Sequence, residues 1–277
     1  IAASGRPGPV LIDLPKDIQL TNVQYLKKPT KIINKLTNLL PKIDVQVISQ
    51  VADVLINSKK PIIYAGGGVV NAGLEASNLL TELVDLLNAP VTLTLMGLGA
   101  VSNKNKNFLG MLGMHGTYEA NLTMHNCDVM LNVGARFDDR VTGRLNAFAP
   151  KSKKIHIDID KSSINKVVHV DYGIVGDCKE VLRLLIQEIK KNNYKKTSKS
   201  NDGWWSQINE WRSKNSLGFV QTGKTIKPQQ AIKSLYEKTT NIDTYITTEV
   251  GQHQMWAAQY FGFSAPKHWM TSGGLGT

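Results

Sequence analysis

Four charges crowd into residues 136–140 of LNVGARFDDRVTGRL, residues 131–145, where an apolar run ends at Gly134 and Asp138 and Asp139 follow between Arg136 and Arg140. Two carboxylates side by side can divide acid and base work between them. Adjacent residues on extended chain point to opposite sides, however, so Asp138 and Asp139 cannot easily share one proton. Two separate ion pairs or hydrogen-bonding roles suit them better. Arg140 then has the fork of donors that grips a carboxylate bidentately. A surface salt-bridge cluster accounts for the same residues equally well on these grounds alone.

Glycines mark three further places where backbone can approach a ligand: GGGVVNAG at 66–73, TLMGLG at 94–99 and LGMLGMHGT at 109–117. A glycine turn at a helix start presents free N–H groups to an anion. An NAD-type fingerprint needs Gly or Ala at position 71 and an acid closing the next strand. The chain has Asn71, and VTLTLMGLG carries no acid, so a plain structural turn or another long ligand fits better. His115 has no second His, Cys or acid at ligand spacing and reads as a loop residue, not a metal ligand. Acids close two more apolar runs, HIDID at 156–160 and GD at 176–177. Each can hold a ribose hydroxyl, and Asp177 suits a helix cap as well. Cys127 and Cys178 lie far apart beside apolar runs, the pattern of buried free thiols in a reducing compartment.

Strands must carry these residues at their carboxyl ends. From residue 44 helical patterns alternate with the strands PIIYAG, VTLTL, DVMLNVG, KKIHIDID and GIVGD, the pattern of parallel crossovers in an open α/β sheet covered on both faces. This domain runs over 44–188. Before it, VLIDL at 10–14 reads as a lone strand, the last of a domain whose earlier part is missing. After it, 189–226 reads as a connector, including the lysine-rich KKNNYKKTSKS, and 227–277 opens another α/β unit with a helix, the strand TYITTEV and a second helix. At 277 residues, 42% apolar and 20% charged, the chain has the profile of a soluble globular protein. The net charge of +11 owes much to that lysine-rich stretch, which has no acid, so a nucleic-acid partner is not inferred. No run approaches a membrane span, and no signal pattern opens the chain.

Taken together, SGRPGPVLIDLPKDIQ, AGGG, TLMGLG, MLGMHGTYEAN, GARFDDRVTG, HIDID, EVGQHQMWAAQ and SGGLG resemble, in order and nearly in spacing, the catalytic subunit of the acetohydroxyacid synthase (acetolactate synthase) family. The resemblance implies a three-domain thiamine-diphosphate enzyme. Residues 1–25 would be the tail of its pyrimidine-binding domain, 44–188 its central domain and 227–277 the start of its diphosphate-binding domain. The activating glutamate and the metal motif are expected outside this fragment. It implies condensation of two pyruvates, or of pyruvate with 2-ketobutyrate, with loss of carbon dioxide. Thiamine diphosphate, Mg2+ and FAD are the implied cofactors. FAD would be held by Arg6, Gly66, Gly67, Gly68, Thr94, Leu95, Leu112, Gly113, Met114, His115, Gly134, Ala135, Arg136, Phe137, Asp138, Asp158, Ile159, Asp177 and Cys178. Thiamine diphosphate would meet Val250, Gly251, Gln252, His253 and Gly276. Arg140 would hold the second ketoacid and Met114 line its pocket. A homodimer or homotetramer with a small regulatory subunit is implied, in bacterial cytoplasm or in a plastid or mitochondrion. Other thiamine-diphosphate decarboxylases or carboligases, and a non-catalytic nucleotide-binding module, are the alternatives. No G-x-S-x-G element supports a hydrolase.

Overall fold

The computed structural model describes residues 2–3, 5–24, 41–191 and 201–273, in two compact units, Ile1–Lys42 and Ile43–Thr277. Among the described residues of the smaller unit, Lys16–Leu20 form a helix, α1, directly after Pro15. The strand expected over 10–14 does not form: the segment is extended, with Val10, Leu11, Ile12 and Leu14 exposed. A strand needs a neighbour to take its backbone groups, and this stretch pairs with none among the described residues.

The larger unit begins with α2 (Val45–Ile56), started by Asp44, whose side chain accepts from Gln46 N. Strand β1 (Pro61–Ala65) is followed by helices α3 (Gly67–Ala72) and α4 (Leu74–Leu87), β2 (Val91–Leu93) and β3 (Phe108–Met111). Then come α5 (Tyr118–Asn126), β4 (Val129–Val133), α6 (Asp139–Thr142), β5 (Lys153–Asp158), β6 (Tyr172–Val175) and α7 (Cys178–Lys191). The six strands make one parallel sheet in the order β3-β2-β1-β4-β5-β6.

All five residues of β1 and all five of β4 are buried, as befits central strands covered on both faces. Their side chains alternate between two cores. Ile63, Ala65, Leu131 and Val133 pack with α2, α4 and α7, whereas Ile62, Tyr64 and Met130 pack with Ala120 and Met124 of α5. On the first side the helical stripes are Ile48, Val51, Ala52 and Leu55 of α2 and Val181, Leu182, Leu185, Ile186 and Ile189 of α7.

Three expectations change. Residues 109–111, read as the start of a glycine-rich loop, form edge strand β3 together with Phe108, because Leu109 and Met111 bury apolar side chains although Gly110 interrupts the pattern. The glycine loop after β1 winds almost at once into α3. The connector contains α8 (Asp202–Arg212), which buries Trp204 and Ile208 in the second core. Trp204 Nε1 donates to Pro61 O at 3.1 Å and Trp205 Nε1 to Asn88 O at 3.0 Å, so two indoles fasten α8 beside the amino ends of β1 and β2. Lysines at 192–200 lie outside the described residues. The chain continues through α9 (Pro228–Thr239), β7 (Ile246–Thr248), α10 (Gln252–Tyr260) and β8 (Trp269–Thr271), with β7 and β8 paired in parallel. Strand β8 had no expectation. No described helix is long and apolar enough to cross a membrane.

Candidate functional site

The order β3-β2-β1-β4-β5-β6 reverses direction between β1 and β4. Loops leaving two such strands diverge to opposite faces, and the crevice between them is where open α/β sheets bind ligands. Here both walls are backbone. Gly66 N donates to Val133 O at 3.0 Å, Gly68 N to Gly134 O at 3.0 Å, and Gly134 N to Ile157 O at 2.8 Å. A Cβ on Gly68 would stand 2.7 Å from Gly134 Cα, and Gly134 itself has φ +63°, so neither position admits a side chain without displacing the other loop. The TLMGLG turn joins them: Thr94 N donates to Ala65 O at 2.9 Å, and a Cβ on Gly97 would lie 2.8 Å from that same oxygen. Thr94 Oγ1 is buried with no hydrogen-bond partner among the described residues. Buried polar atoms in folded proteins are nearly always satisfied, so a hydroxyl left over beside a glycine cradle marks where a polar ligand atom fits.

The loop after β4 is held from beneath. Asn132 is wholly buried; its Oδ1 accepts from Ala135 N at 3.1 Å and its Nδ2 donates to Ala135 O at 2.8 Å. Two residues on, Phe137 has φ +58°, a strained conformation for a bulky residue. Its ring is pinned by Tyr64, Phe148 and His156 at centroid distances of 6.1, 6.0 and 5.0 Å.

The four charges separate as follows. Asp138 pairs with Arg136 and caps α6 by accepting from Arg140 N at 3.1 Å. Asp139 is therefore the first residue of a helix, not one of an extended pair. Partial burial pushes the Asp138 carboxyl up, but the Arg140 N–H, Asp139 and the Arg136 guanidinium together outweigh it and hold the group below the usual carboxylate range. Asp139 and Arg140 are both exposed and 4.0 Å apart, a contact worth little to stability.

The loop after β3 meets α6. Leu112 N donates to Leu93 O at 3.1 Å and Met114 N to Arg140 O at 2.9 Å. A Cβ on Gly113, which has φ +104°, would lie 2.7 Å from Arg140 O. Asn121 of α5 grips Gly113 at both its N–H and its carbonyl, each at 3.1 Å. Met114 and His115 are exposed, and His115 O accepts from Gln259 Nε2 of α10 at 2.9 Å.

At the end of β5, Asp158 is nearly buried, 3.6 Å from His156 Nε2, and accepts from Asp160 N at 2.8 Å; Ile159 follows it, half-buried. Asp177 caps α7 by accepting from Lys179 N at 2.8 Å. Cys178 Sγ reaches Gly68 O at 3.6 Å, and burial, with Asp177 beside it, pushes its thiol up to about 12. Both cysteines are free and buried. Leu95 lies half-buried in the turn after β2.

Val250, Gln252 and His253 are exposed around Gly251 at the start of α10. Buried Gln254 ties that helix to the end of β8, donating to Thr271 Oγ1 at 2.6 Å and Ser272 O at 2.7 Å. Gly276 lies outside the described residues, and Arg6 belongs to the smaller unit. No group of three His, Cys, Asp or Glu able to hold a metal occurs among the described residues.

Sequence reasoning missed Asn121, Asn132, Gln254 and Gln259. Only Asn132 carried a signal, a single amide inside the apolar run VMLNV, since a buried amide has to find partners.

Comparison with known proteins adds a family to this geometry. The model of the thiamine pyrophosphate enzyme central domain matches residues 48–185, and that of the C-terminal TPP binding domain of the same enzymes matches 249–277. The whole chain aligns at 45% identity with the acetolactate synthase large subunit of Buchnera aphidicola from Acyrthosiphon pisum. It aligns at 44% with acetolactate synthase isozyme 3 large subunit of Escherichia coli K12, and at 40% with the large subunit of the alga Porphyra purpurea. It spans about half the length of these relatives, 48%, 48% and 46% respectively.

Proposed function

The chain belongs to the thiamine pyrophosphate enzymes, and from that premise we propose that it is the central part of an acetolactate synthase large subunit. That enzyme condenses two pyruvates, or pyruvate and 2-ketobutyrate, with loss of carbon dioxide. The observation that carries the reading is similarity along the whole of this chain to named acetolactate synthase large subunits, in a chain whose loops after β3 and β4 bring Met114 and Arg140 into backbone contact.

Thiamine diphosphate, when bound, supplies the electron sink for decarboxylation and carbon–carbon bond formation. Val250, Gly251, Gln252 and His253 would meet its diphosphate at the start of α10, where free N–H groups favour an anion. Arg140, exposed on α6, grips the carboxylate of the incoming ketoacid, and Met114 borders it. The crevice between β1 and β4 suits FAD. The glycines at 66–68 and 134 leave the backbone bare, the Thr94 hydroxyl is unspent, and Asp158 stands at the next strand end for a ribose hydroxyl. Assembly as a homodimer or homotetramer with a regulatory subunit, in cytoplasm or plastid, belongs to the same proposal.

The test is acetolactate formation from pyruvate by the full-length protein supplied with thiamine diphosphate, Mg2+ and FAD. The proposal expects product with carbon dioxide release. Carbon dioxide with acetaldehyde alone would make the protein a simple decarboxylase and refute the assignment.

A further inference from the structure

Resting on that reading, we propose that Asn121 is a positioning residue for the second ketoacid, fixing through Gly113 the backbone from which Arg140 and Met114 approach it. Its carboxamide meets both polar groups of Gly113, and Nδ2 also donates to Thr117 O at 3.0 Å. Gly113 lies against Arg140 O, and the next residue, Met114, donates to that same oxygen. One amide therefore sets the loop carrying Met114 and, across a single carbonyl, the helix carrying Arg140.

That helix has few means of holding itself. It is four residues long, too short to gain from helical cooperativity, and it is held by the Asp138 cap, by Val141 packed against the second core, by buried Thr142 and by the Met114 bond. A shift of about 1 Å in a substrate-positioning group can cost roughly 100-fold in rate. Helix α5 does not need Asn121 to start, since Thr117 Oγ1 accepts from Ala120 N at 3.2 Å. Removing the amide therefore loosens the loop at Gly113, whose N–H loses its acceptor while its carbonyl still accepts from Gly116 N at 2.9 Å, and leaves the helix capped.

The experiment uses the full-length holoenzyme with Asn121→Ala and, as control, Asn126→Ala, whose amide donates within the same helix to Leu122 O at 2.8 Å. Asn121→Ala is expected to raise the KM for 2-ketobutyrate as acceptor about tenfold, the equivalent of one lost hydrogen bond. Single-turnover carbon dioxide release from pyruvate and flavin content should stay within about twofold of the parent, and Asn126→Ala should change none of the three. Should the alanine variant not fold, Asn121→Asp, which keeps the acceptor for Gly113 N–H but loses the donor, is expected to raise the same KM at least threefold. An unchanged acceptor KM, or an equal fall in carbon dioxide release and acceptor use, overturns the proposal. A parent enzyme that forms no acetohydroxyacid would fail before any substitution, which marks failure of the functional reading itself.

Discussion

Two loops on one sheet edge are held by the same device in different surroundings. Asn132 spans the peptide groups of Ala135, and Asn121 spans those of Gly113, each accepting from the N–H and donating to the carbonyl of one residue. Asn132 is wholly buried beneath the loop after β4, opposite Tyr64 in the register of β1 and β4. Asn121 is half-buried, and the loop it holds exposes Met114 and His115. A clamp in the core preserves shape at the cost of stability when broken. One at the rim sets the position of exposed side chains that water can otherwise satisfy.

The largest expected effect breaks the buried side. Gly134→Ala puts a side chain at φ +63° and against Gly68 Cα, which should cost about 3 kcal/mol or more and strip flavin from the full-length enzyme. Denaturant unfolding and the flavin spectrum of the purified variant check this. Next, Asn132→Ala leaves the Ala135 N–H and carbonyl buried without partners, a loss of roughly 2 to 3 kcal/mol; the same unfolding titration should show no comparable loss for Asn121→Ala. If both amides cost alike, burial is not what separates the two loops. The smallest effect concerns acid. Asp138 titrates below the usual range in the folded protein, so it contributes stability above its unfolded pKa and loses that contribution as pH falls through the lowered folded value. The stability difference between the parent and Asp138→Asn should favour the parent at neutral pH and shrink toward zero between about pH 5 and pH 2. A constant difference would mean that the pairs with Arg136 and Arg140 N are not formed in solution.

The two loops also differ in how legible they were. Apolar runs ending in glycine or acid, PIIYAG and DVMLNVG above all, mark their own strands and the ligand-facing positions beyond them, because a strand buried on both faces permits nothing else in its interior. Strand β3 was hidden because FLGM mixes glycine with apolar residues and its identity depends on pairing with β2, a long-range contact. Helix α8 was hidden for a similar reason: DGWWSQINEWR is polar enough for a linker, and its place is set by where its indoles find Pro61 and Asn88 carbonyls. Asp139 is helical where extended chain was expected, because a four-residue helix leaves no periodicity to detect. The amide clamps are harder to read: Asn132 stands out only as an amide within VMLNV, and neither its partner Ala135 nor the pair of Asn121 and Gly113 is marked until the fold brings them together.

The proposed division of labour is that the crevice between β1 and β4 retains the flavin while exposed Arg140 takes the second ketoacid. Its most direct test is Arg140→Gln in the full-length enzyme, with flavin content and acceptor use measured on the same preparation. A full complement of flavin and a large rise in the acceptor KM are expected. Loss of flavin with acceptor use intact would contradict it.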